Sequence, residues 1–122
     1  MRVLIVDDEV EILDILSSFL TDRGYDVVTA NRGEQALETV DDDPEIGVVL
    51  LDVVMPGRDG IEILRELMQR DSHPHVIMMT ARADEKIFEA VRLGAVDYVL
   101  KPIDFEALDA TLAASIKRSS VS

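Results

Sequence analysis

Five short aliphatic runs recur along the chain: Val3 to Val6, Val27 with Val28, Val48 to Leu51, Val76 to Met79, and Tyr98 to Leu100. Each is too short for a helix and lacks polar alternation, the pattern of strands buried on both faces of a parallel sheet. A helical pattern follows every one of them. Val10, Leu13, Leu16 and Leu20 stand three or four apart, with Gly24 as a C-terminal cap. Asn31 with Glu34 reads as a capping box before Ala36, Leu37 and Val40. Gly60 to Arg70, Asp84 to Gly94 and Asp104 to Arg118 complete the set, the last two opening on an aspartate suited to capping. Strand then helix, five times, predicts an α/β fold with a parallel sheet, because parallel neighbours need right-handed crossovers that place helices on both faces. The spacing is uneven and no leucine or tryptophan signature recurs, which argues against a solenoid.

Size and charge narrow the function. At 122 residues with 48% hydrophobic content, the chain suits one domain with one core. Its 25 acidic and 12 basic residues, net charge -13, exclude a broad footprint for a nucleic-acid backbone and predict repulsion from anionic lipid. The absence of cysteine removes disulfides, thiolate metal sites and thiol catalysis. The amino-terminal apolar run is too short for a signal peptide and no segment is long enough to span a membrane, so the expected location is the cytoplasm.

In open α/β sheets ligands bind beyond the carboxyl ends of the strands, where strand order reverses. The first run ends in Asp7 and Asp8, the third in Asp52, the fourth in Thr80, and the fifth in Lys101 followed by Pro102. Singly, each has an ordinary explanation: Asp8 as a helix cap, Thr80 as the start of a turn, Lys101 as a solvated lysine. Jointly they do not. Three carboxylates about 4 Å apart repel by roughly 4 kcal/mol per pair at an effective dielectric near ~20, so they need positive charge, which a divalent cation and Lys101 would supply. Oxygen donors alone favour Mg²⁺. Zinc is disfavoured, since the two histidines, His73 and His75, precede the fourth run at the opposite edge.

The motifs "IVDDE", "LLDVVMPGRDG", "MMTARAD" and "DYVLKPID" stand in order at these strand ends. Together they resemble the response-regulator receiver domain of two-component signalling, over essentially the whole chain. The resemblance implies a doubly wound (βα)5 sheet of flavodoxin-like strand order 2-1-3-4-5, with residues 1–118 as the receiver and 119–122 as a tail or the start of a linker. It implies that Asp52 is the phosphoacceptor, taking a phosphoryl group from a sensor histidine kinase, a phosphotransfer domain or acetyl phosphate. Asp8, Asp52 and the Val54 backbone carbonyl would bind Mg²⁺, with Mn²⁺ as a substitute, and Asp7 would hold a metal-bound water. Lys101 would pair with a phosphoryl oxygen, the Thr80 hydroxyl would donate to another, and the backbone at Val53 and Ala81 would approach the phosphate. Thr80 and Tyr98 would act as the switch that remodels the surface formed by the fourth helix, fifth strand and fifth helix. An output domain, an effector protein or a phosphorylation-linked homodimer would read that surface. The activity implied is signalling, with no catalysis beyond the domain's own aspartyl phosphorylation and dephosphorylation. The family also implies a cis bond before Pro102.

Several residues set this chain apart. Apolar Val54 and Arg82 flank the path of hydrolytic water, so a long-lived phosphoryl state is expected. Ala107, Asp109 and Thr111 stand where winged-helix transcriptional regulators often place charged dimer partners, and do not match that pattern. Competing readings fare worse. A haloacid dehalogenase-type phosphohydrolase would need its nucleophile on the first strand and an Asp where Glu9 stands. A flavin carrier would need a Ser/Thr/Gly-rich phosphate loop in place of "DDEVEI". A receiver that has lost phosphorylation is opposed by retention of all five polar residues. A stand-alone receiver and a receiver cut from a larger regulator read alike.

Overall fold

The computed structural model describes residues 2–121, and side chains through residue 117. The strands are β1 (Arg2–Val6), β2 (Asp26–Ala30), β3 (Ile46–Asp52), β4 (His75–Thr80) and β5 (Asp97–Leu100). The helices are α1 (Val10–Asp22), α2 (Gly33–Asp42), α3 (Gly60–Met68), α4 (Glu85–Leu93) and α5 (Phe105–Val121). All pairings are parallel, in the order β2-β1-β3-β4-β5. The predicted alternation and strand order are therefore the observed ones.

Neighbouring residues of each central strand supply opposite layers, as the two-residue period requires. Leu4, Val49, Leu51 and Met78 pack with Leu37, Ile63, Leu64, Leu67 and Ala90 of α2, α3 and α4. Val3, Ile5, Leu50, Ile77 and Met79 pack with Leu13, Leu16, Leu20, Leu108 and Leu112 of α1 and α5. Full burial on both faces holds for most of β1, β3 and β4. It does not hold for β2 and β5, which are sheet edges: Val27 and Val28 are half-buried, and Tyr98 and Leu100 are exposed. An edge strand lacks a neighbour on one side, so the helices above and below cover it less.

The helix ends correct one further expectation. Arg32, not Asn31, is the N-cap of α2 and makes no side-chain cap bond. Asn31 lies one position outside the helix, and its amide instead donates to Gln35 Oε1 at 3.0 Å. The helix starts one residue later than a box on Asn31 and Glu34 requires. Asp84 and Asp104 do accept first-turn amides, from Lys86 and from Glu106 and Ala107. Gly94 closes α4 at φ 123°, a left-handed backbone that glycine adopts without a Cβ penalty. The helix α5 runs to Val121, past the Arg118 at which its pattern predicts an end, and Ser122 of the expected tail lies outside the described residues. Its start is tied to α1: the Phe19 and Phe105 rings lie 4.7 Å apart, and Asp109 accepts from Arg23 and the Tyr25 hydroxyl.

Candidate functional site

Sheet register brings the strand-end residues together. Val6 pairs with Leu51, which puts Asp7 level with Asp52 on adjacent strands; Asp52 pairs with Met79, and Thr80 with Leu100. Strand order reverses at β1 and β3, so Asp7, Asp8 and Asp52 stand at the switch point that the general rule selects. Carboxylate oxygens of all three lie within 4.8 Å of one another. A cavity of about 530 Å³ opens above Asp8 and Asp52, lined also by Glu9, Pro56, Ala81 and Lys101. His75 sits at the other end of β4, its Nδ1 3.0 Å from Ser115 Oγ, away from this cavity as expected.

Burial grades the three acids. Asp7 has no exposure and Asp52 is buried, whereas Asp8 is exposed. Asp8 does not serve as a helix cap, because Glu9 occupies the N-cap of α1 without a side-chain bond. Both Asp7 oxygens are engaged inside the chain: Oδ1 accepts the Glu9 amide at 2.9 Å, and Oδ2 accepts from Lys101 Nζ at 2.9 Å. Lys101 Nζ also lies 3.2 Å from Asp52 Oδ2, so one ammonium bridges two buried carboxylates. The Lys101–Pro102 bond is cis.

This arrangement perturbs both partners. Burial, with the charge of Asp7 second, pushes the Asp52 carboxyl up to about 6, against the opposing pull of Lys101 and the Val54 amide. Burial acts to lower the Lys101 ammonium, but hydrogen bonding to Asp7 and the charges of both acids outweigh it and raise the pKa. Folded Asp52 thus holds its proton more tightly than an unfolded aspartate does. It favours the metal-free fold below pH about 4, and that contribution is lost as pH rises through about 6. The full shift corresponds to about 3 kcal/mol, which solvent screening at the open cavity reduces to about 1–2 kcal/mol. In denaturant titrations without divalent cation, Asp52→Asn is expected to be more stable than the parent at pH 8 and to lose this advantage by pH 4. Equal stability at both pH values would contradict the burial of the charge.

The remaining predicted residues are placed less simply. The Val54 amide donates to Asp52 Oδ1 at 3.2 Å, whereas the Val53 amide, expected to face phosphate, is given to the Met79 carbonyl at 2.9 Å. The side chain of Val54 is 68% exposed. The Thr80 hydroxyl is turned into a local loop, donating to the Arg82 carbonyl at 3.0 Å and lying 3.2 Å from the Arg82 amide. Tyr98 lies at the surface of β5. Two residues near the acceptor do more than the sequence alone shows. Gly60 donates to the Val53 carbonyl at 2.8 Å and approaches the Asp52 backbone too closely for any side chain. Arg58 gathers three carboxylates from α2 and α3. The Glu62 and Glu66 partners, four and eight residues on, were visible as a helical spacing; Glu34 was not.

The donor set suits a hard divalent cation: the three clustered acids offer carboxylate oxygens only, Asp8 among them is exposed, and the chain has no cysteine. Comparison with known proteins bears on the family and the fold. The sequence model described as the response regulator receiver domain matches residues 3–113. The chemotaxis protein CheY4 of Vibrio cholerae superposes with a TM-score of 0.88 at 32% identity, over 93% of this chain and 97% of that one. The receiver domain of the Francisella response regulator 1452 gives 0.88 at 27% identity, over 97% and 98%. NtrX of Brucella abortus gives 0.90 at 29% identity over 98% of this chain, but the match covers 28% of that longer protein.

Proposed function

The chain belongs to the response regulator receiver domain family, and from that premise we propose that Asp52 accepts a phosphoryl group and that the β5 face reports it. The observation that carries this reading is the Lys101 ammonium, 2.9 Å from Asp7 and 3.2 Å from Asp52, beside an exposed Asp8. A buried carboxylate pair held by one lysine ammonium is an acceptor with its counter-charge already in place.

An Asp52 carboxylate oxygen attacks phosphorus of a phosphohistidine or acetyl phosphate. The new O–P bond forms as the bond to the donor breaks, leaving an acyl phosphate on Asp52. Asp8, Asp52 and the Val54 carbonyl would hold Mg²⁺ or Mn²⁺, with Asp7 backing a bound water, and the ion would supply neutralising charge at the phosphoryl oxygens. Lys101 transfers its ion pair from the Asp52 carboxylate to a phosphoryl oxygen, as a flexible point charge suits. Rigid support from buried Val48 to Leu51 keeps the attacking oxygen in line.

The product carries about -1.5 to -2 charges where one stood. That charge draws the Thr80 hydroxyl away from Arg82, and Tyr98 turns inward behind it. The surface affected carries exposed apolar side chains among charged ones: Phe88 is 66% exposed, and Val91 of α4 with Tyr98 and Leu100 of β5 are exposed too. A recess of about 450 Å³ between β5 and α5 is lined by Tyr98, Leu100, Pro102, Ala107 and Thr111. Asp109 is held by Arg23 and Tyr25, which leaves it engaged within the chain and supports an output partner other than a winged-helix type of charged dimer. A population shift of this kind typically couples sites by about 1–3 kcal/mol.

The test is intact mass after incubation with acetyl phosphate and Mg²⁺. Gain of one phosphoryl group, abolished by EDTA, is the expected result. No gain from acetyl phosphate or from a phosphorylated kinase donor would overturn the reading in favour of a constitutive interaction module. The apolar, exposed Val54 side chain cannot orient a hydrolytic water. Val54→Asn is therefore expected to shorten the phosphoryl lifetime about tenfold, equivalent to about 1.4 kcal/mol of barrier. An unchanged lifetime would remove Val54 from the account.

A further inference from the structure

The loop of residues 53–59 joins the acceptor strand to α3 and carries the Val54 backbone that meets Asp52. Its inner end is fastened by the Val53 and Gly60 amides and by buried Met55. Its outer half, with Pro56 and Gly57, is exposed. Arg58 reaches from that outer half to two helices. Nη1 lies 3.4 Å from Glu34 Oε1 in the first turn of α2, and Nε lies 3.5 Å from Glu62 Oε2 on α3. Nη2 meets Glu66 Oε2, a buried carboxylate oxygen.

We propose that Arg58 is a positioning residue for the acceptor site, holding the loop so that the Val54 backbone is presented to the cation bound by Asp8 and Asp52. The inference rests on the reading of those residues as the cation site. An isolated surface ion pair holds little, but this one guanidinium separates three carboxylates in a chain of net charge -13. Without it, Glu34, Glu62 and Glu66 repel one another, and Glu66, partly exposed but with Oε2 shielded from solvent, loses its counter-charge. The loop then loses its tie to α2 and its stop against α3. A planar fork serves three partners at once; a lysine ammonium at the same position reaches fewer.

The sign of the effect separates positioning from simple electrostatics. Removing a cation makes the surroundings more negative, and field alone would tighten Mg²⁺ binding. Loss of positioning weakens it. Calorimetric Mg²⁺ titration of the folded protein, well below its unfolding temperature, is expected to give a Kd three- to tenfold higher for Arg58→Ala than for the parent. Arg58→Lys, which keeps the charge and protects the fold should the alanine variant fail, is expected to raise Kd about twofold or more. A lower or unchanged Kd in the folded alanine variant, or an unchanged Kd in Arg58→Lys should the alanine variant not fold, would overturn the inference while leaving the acceptor reading intact. A parent protein that binds no Mg²⁺ would overturn both.

Discussion

Lys101→Ala is expected to destabilise the fold by about 3–5 kcal/mol at neutral pH without divalent cation, the cost of leaving buried charge unpaired. Asp7 has no exposure, and Asp52 is nearly as buried; Lys101 is the ammonium within 3.2 Å of both. Removing it leaves two buried carboxylates at adjacent strand ends to repel each other. Protonation is their remaining relief, so the loss should shrink on acidification, as Asp52, already raised to about 6, takes up its proton. Added Mg²⁺ should restore part of the stability of the variant. Phosphoryl acceptance should fall as well, since the charge that meets the phosphoryl oxygen is gone. Guanidinium titrations at pH 5 and pH 8, with and without Mg²⁺, check the first three statements. A loss below about 1 kcal/mol at pH 8 would mean that water already compensates both acids.

Gly60→Ala is the second large effect, and it acts on geometry where Lys101→Ala acts on charge. A Cβ on Gly60 would fall inside contact distance of the Asp52 carbonyl oxygen and 3.0 Å from both the Asp52 carbonyl carbon and Val53 Cα. All three are backbone atoms, so no rotamer change makes room. Either α3 retreats and loses the 2.8 Å bond from the Gly60 amide to the Val53 carbonyl, or the acceptor backbone moves. Overpacking of this kind costs about 1–3 kcal/mol. Displacing a nucleophile by about 1 Å costs on the order of 100-fold in rate. Gly60→Ala is therefore expected to remain folded and to take phosphoryl groups from acetyl phosphate about 100-fold more slowly, by mass-resolved kinetics. A parental rate would show that α3 absorbs the strain and that the acceptor does not depend on this close approach.

The central strands were legible because burial on both faces writes itself as an unbroken aliphatic run, and their ends marked Asp7, Asp52 and Thr80, with Lys101 marked by the end of the edge strand β5. The edge strands were less legible, since Val27, Val28 and Tyr98 carry the same residue types with half the cover. The α2 cap failed because Asn31 and Glu34 satisfy a local pattern whose register the turn after β2 displaces by one residue. Within the site, the sequence could place side chains at strand ends but not aim them. The bond from Lys101 to Asp7 spans 94 positions, and the turning of Thr80 toward Arg82 depends on the loop after β4. The Glu34 contact of Arg58 and the approach of Gly60 to Asp52 arise from helix packing, for which no local signal exists.

Locating the phosphoryl group tests the central claim most directly. The protein is charged with acetyl phosphate and Mg²⁺, the acyl phosphate is reduced with borohydride, and the peptides are sequenced by mass spectrometry. Homoserine at position 52, absent when Asp52→Asn is treated alike, is the predicted result. A reduced residue at Asp7 or Asp8, or labelling that survives in Asp52→Asn, would contradict it.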